Sequence, residues 1–129
     1  MSTDGTLTPE WFHVGVMAPP GYDPPGFTAL VTAKLTKLLG PKSRTHKIGI
    51  HFPWAEPISH PITDGAAKNR WHASGFAIDR MGGEAGLIRC WLQIAAVSQA
   101  LVVFGTATPA MEVVLKLCGR LECRVRLVR

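Results

Sequence analysis

The chain has 129 residues, 47% apolar and 18% charged, with 14 Lys+Arg against 9 Asp+Glu for a net charge of +5. That length fits one domain, the composition excludes bulk disorder, and three cysteines cannot close a disulfide framework without a leftover thiol. No apolar run approaches a membrane span. Met1-Ser-Thr-Asp-Gly5 has neither the basic segment nor the apolar stretch of a signal peptide, so a cytoplasmic protein is expected.

Residues 1–26 hold five of the ten prolines and four of the thirteen glycines. Within them Trp11–Met17 reads as a strand. Ala18-Pro-Pro-Gly-Tyr-Asp-Pro-Pro-Gly26 follows as a stiff extended connection, because proline fixes φ and removes a donor. Residues 27–39 read as a helix, with Phe27, Leu30, Val31, Leu35, Leu38 and Leu39 on one stripe. Gly40-Pro41 is its expected stop. Residues 45–52 read as a second strand. Residues 53–69, with prolines at 53, 57 and 61, read as a long loop.

Trp71–Arg80 and Leu87–Val97 read as the arms of a hairpin closed by Gly82-Gly83-Glu84. In that register Phe76, Ile78, Ile88, Leu92 and Ile94 share a core face, and Trp71, Arg89, Trp91 and Gln93 share the other. Residues 98–107 fit either a short helix or a buried strand at Leu101–Phe104. From Met111 to Leu127 apolar residues occupy odd positions, Leu121 and Cys123 included, and charged ones even positions. This favours a long strand over a helix from Thr108 to Leu117 with Pro109 at its first turn, because the alternation continues past Gly119. The expected fold class is therefore mainly β with one long helix, an α+β domain over 27–129. The Pro/Gly-rich segment 1–26, with one short strand, precedes it.

The five histidines (13, 46, 51, 60 and 72) show no ligand spacing of a metal helix or knuckle. No nucleophile–base pair or Gly-rich phosphate loop is visible. Neither a metal site, a cofactor nor an enzymatic activity is expected. The cations are more informative. On a strand, Lys116, Arg120, Arg124 and Arg126 would form a row along one face, with alternate residues about 6.5–7 Å apart. That is near the phosphate spacing of an extended nucleic-acid strand. Trp91 and Trp71, beside Arg89, and Trp54 in the proline loop would offer rings for stacked bases.

Cys90-Trp-Leu-Gln-Ile-Ala95, a connector, and Val113-Val-Leu-Lys-Leu-Cys-Gly-Arg-Leu-Glu122 resemble the later strands of bacterial single-stranded DNA-binding proteins. Trp71–Arg80 looks like that family's second strand. The resemblance implies an OB-fold barrel, oligomerisation, and base stacking by Trp91, with Trp71 and Arg80 also carried over. The barrel would have an added N-terminal β–α unit. Binding of nucleic acid, single-stranded DNA ahead of RNA, is the expected function. The alternative is a protein–protein interaction domain docking through a basic edge strand.

Overall fold

Strand β1, Glu10–Met17, forms where the apolar run predicts it, and its last four residues are buried. The computed structural model describes residues 10–55, 58–120 and 124–128. Helix α1, Phe27–Ser43, follows the proline connection and runs two residues beyond Pro41. Pro41 has no N–H to donate to the carbonyl four residues back, so the last turn forgoes that bond, and the helix ends two residues later. Phe27, Val31, Leu35 and Leu39 are buried as the stripe requires. Strand β2, His46–Pro53, comes next.

Residues 53–69 are not one long loop. Helix α2, Ser59–Asn69, occupies most of them and buries Ile62, Gly65 and Ala66. Pro61 sits in its first turn, where the missing N–H has no intrahelical partner to lose. Strand β3, His72–Phe76, is a short edge strand with four of its five residues exposed. The expected hairpin partner is helix α3, Gly83–Ala96, preceded by a 3₁₀ turn at Arg80–Gly82. Strand β4, Ala100–Phe104, settles the ambiguous segment as a buried strand. Helix α4, Pro109–Arg120, and strand β5, Arg124–Val128, replace the expected long strand. Leu121, Glu122 and Cys123, part of that alternating row, lie outside the described residues.

The five strands form one sheet in the order β3-β2-β1-β4-β5. Every pairing is parallel. This corrects the expectation of a mainly-β, OB-like barrel with one long helix. The architecture is α/β, an open parallel sheet with four helices among the described residues. The physical reason is that parallel strands need crossovers, and each crossover here is a helix. Residues of α1 and α2 build the core on one face around Val14, Val16, Ile50 and Phe104. Residues of α3 and α4 build the other around Met17, Trp91, Leu101 and Met111. No helix among the described residues is long and apolar enough to cross a membrane.

Candidate functional site

Chain direction across the sheet reverses once. From β1 the chain steps outward to β2 and β3, then returns over α3 to β4 on the other side of β1. Open α/β sheets bind ligands outside the carboxyl ends of their strands at such a reversal. Here that place holds a crevice of about 320 Å³. Its walls come from the segments after β1, β2 and β3 and from the first turns of α3. A neighbouring depression of about 340 Å³ shares Pro20, Gly83 and Leu87 and extends to Thr108 and Pro109 at the start of α4.

The β1–α1 connection is two successive copies of Pro-Pro-Gly-aromatic, of which the first lines the crevice. Tyr22 N–H donates to Pro19 O at 3.0 Å, and Phe27 N–H donates to Pro24 O at 3.0 Å. Gly21 and Gly26 take φ values of 75° and 72°. Proline before a left-handed glycine is what a type II turn selects. The two turns bring the Tyr22 and Phe27 rings edge to face, 5.3 Å apart. Tyr22 also lies against Gly105, where an added Cβ would come within 2.8 Å of its ring. With four prolines in nine residues this wall offers few N–H donors, unlike a phosphate-cradling glycine loop.

The opposite wall is held by Asp79. Its Oδ1 accepts from Met81 N–H at 3.1 Å and its Oδ2 accepts from Arg89 Nη2 at 3.1 Å. Gly86 of α3 packs directly on the Asp79 carbonyl. Cys90 Sγ donates to Phe76 O at 3.6 Å, and burial pushes this thiol up to about 11. Arg80 is thereby carried to the crevice on a braced turn, with its side chain exposed. Beneath it lies Trp91, 1% exposed, whose Nε1 has no hydrogen-bond partner. A buried N–H without a partner forfeits roughly 1–3 kcal/mol.

The residues expected to bind nucleic acid are dispersed. Arg80 and Trp91 do line one crevice. Trp91 is buried in α3, so its ring is no surface platform. Trp71 belongs to the core on the other face of the sheet. Trp54 is 59% exposed after β2 and rests over Gly75 of β3. Arg89 is engaged by Asp79. Lys116 and Arg120 lie on α4, and Arg124 and Arg126 on β5, so they form no single row along one strand.

Sequence reasoning passed over Tyr22 and the Pro-Pro-Gly turns as ligand-facing elements. The repeated motif was the available signal. It also passed over a pair of histidines on the sheet itself. His13 Nδ1 and His51 Nε2 stand 2.9 Å apart. Burial, then the neighbouring His13, hold His51 below the ordinary imidazole value. No protein-family model matches the chain, and no curated protein matches it.

Proposed function

We propose that the chain is a small-molecule-binding α/β domain whose ligand is a flat, mononucleotide-sized anion lodged at the sheet reversal. One observation carries this reading: a crevice at the sheet reversal lined both by Arg80 and by Trp91, whose Nε1 is buried without a partner. About 320 Å³ is the lower end of the volume that small-molecule sites occupy. Tyr22 supplies flat apolar surface. Arg80 supplies a forked cation for a carboxylate or phosphate. Glu84 in the first turn of α3 offsets that helix's dipole, so the guanidinium is the main anion-holding group. Among the described residues, the ionisable side chains lining the crevice are those of Tyr22 and Arg80.

The test is thermal unfolding and Trp fluorescence with four mononucleotides, adenosine and indole-3-carboxylate as probes. A monophosphate or the carboxylate should raise the melting temperature, as binding to the native state alone must. Arg80→Ala should weaken that probe by about 10–100-fold, the equivalent of one charged hydrogen bond, and leave adenosine unchanged. If no probe at millimolar concentration shifts the melting temperature, the reading fails.

A second reading, binding of single-stranded nucleic acid, is supported by the net charge of +5 and by the exposed ring of Trp54. It predicts quenching of Trp fluorescence by poly-dT, with a log affinity that falls linearly with log salt. Trp54→Ala would remove the quenching.

A further inference from the structure

On the α3 side of the sheet, a depression of about 330 Å³ is lined by strand residues alone: Trp11, His13, Gly49, His51, His72 and Ser74. The register of β1 and β2 pairs His13 with Gly49 and Gly15 with His51. Each imidazole therefore stands opposite a glycine. Both rings lean into the space so left, and His13 Nδ1 meets His51 Nε2 at 2.9 Å. A Cβ on Gly49 would stand 2.9 Å from the first nitrogen and 3.6 Å from the second. The gap between the nitrogens thus lies over Gly49, and a glycine inside a strand often marks close approach of a ligand. On its far side His51 Nδ1 is buried with no partner. Trp11 stacks on His13 at 5.8 Å and 9°, which holds that ring's orientation.

We propose that His13 and His51 form a two-imidazole site for a borderline divalent transition-metal ion, with Cu²⁺ first in affinity. Two nitrogens at about 2.0–2.1 Å lie about 2.8–3.0 Å apart in cis positions on a square-planar ion such as Cu²⁺ and about 3.3–3.4 Å apart on a tetrahedral one. The observed pair fits the first and needs to open only slightly for the second. Each neutral imidazole carries one hydrogen, and the bridging hydrogen moves to the far nitrogen of its own ring, so the neutral pair releases no net proton. Imidazoles without a carboxylate select copper, nickel and zinc over magnesium or calcium, and copper binds most tightly of these. No group of three His, Cys, Asp or Glu able to hold a metal occurs among the described residues. The remaining coordination positions therefore go to water or an external ligand.

The experiment titrates the untagged full chain with CuCl₂ and with ZnCl₂ near neutral pH, by calorimetry and, for copper, electron paramagnetic resonance. One saturable equivalent is expected, copper tighter than zinc, with a copper spectrum split by two nitrogens. His13→Ala and His51→Ala should each weaken binding by at least ~10-fold. Gly49→Ala should do likewise, although both imidazoles remain. His60→Ala, on the exposed face of α2, should change nothing. The proposal is overturned by folded wild-type protein with no saturable copper site, by affinity unchanged when both histidines are replaced, or by a wild-type spectrum with fewer than two nitrogens. That last measurement decides even where a variant does not fold.

Discussion

The same substitution, glycine to alanine, should have opposite signs in two helices of this protein. Gly65 in α2 and Gly86 in α3 are both helical and both buried. Alanine is favoured over glycine in a helix interior by about 0.8–1.0 kcal/mol. At Gly65 an added Cβ would meet Thr32 Oγ1 at 3.6 Å and Thr32 Cγ2 at 3.7 Å, ordinary contact. Gly65→Ala should therefore stabilise by about 1 kcal/mol, a rise in melting temperature of about 3–5 °C for a chain of this size. At Gly86 the added Cβ would run into the carbonyl oxygen of Asp79, with Asp79 C at 3.1 Å and Cβ at 3.2 Å. A backbone carbonyl cannot rotate aside. Overpacking costs about 1–3 kcal/mol, here toward the upper end, which outweighs the helix gain and leaves a net loss of about 1–2 kcal/mol. Relief would push the Arg80–Gly82 turn off α3 and widen the crevice. Urea melts of the two variants beside wild type measure both effects, since a shifted midpoint at constant slope reports stability alone. Gly86→Ala with a midpoint equal to or above that of Gly65→Ala would refute the packing argument and, with it, the braced position of Arg80.

Trp91→Ala should destabilise the fold by about 3–5 kcal/mol, the loss expected for a fully buried tryptophan. A change within about 0.5 kcal/mol, as for surface sites, would mean the ring is not buried in α3. Cys90 should resist alkylation in the folded protein near pH 8, since its thiolate is scarce below about 11. The linkage has a definite sign. The unfolded thiol ionises near 9.0 and the folded one near 11, so the native state holds more protons between those values. Stability should fall as pH rises through that window. A Cys90→Ala variant should show a flatter profile in urea melts, and an unchanged profile would contradict the assignment.

Much of the first half of the fold was legible in the sequence, because its elements carry local signals. Trp11–Met17, the stripe from Phe27 to Leu39, and Thr45–Phe52 each announce their own period or run. The second half was misread where two periods coincide. Ala110, Met111, Val114 and Cys118 of α4 are buried. Their spacing of three and four is helical, and Thr108 does cap the helix, accepting Met111 N–H at 3.3 Å. Yet Met111, Val113, Leu115 and Leu117 also alternate, and Val125 and Leu127 of β5 continue that phase by chance. Val113 is 47% exposed, which a buried odd-numbered face does not allow. Likewise Cys90, Trp91, Ile94 and Ala95 form one helical face, which can equally be divided between two faces of a strand.

Composition, charge, the proline turns, α1 and the first two strands are thus determined by the chain locally, since turn chemistry and apolar periodicity act over a few residues. Strand order, the crevice and the histidine pair are not. They exist because helical crossovers lay β1 beside both β2 and β4, bringing Pro20 to Leu87 and His13 to His51 across long stretches of chain. Parallel strands covered on both faces lose the alternation that would have announced them, as in the unbroken apolar run Ala100–Phe104. Burial in such a sheet is decided by which helix lands on which face, and only the folded chain decides that.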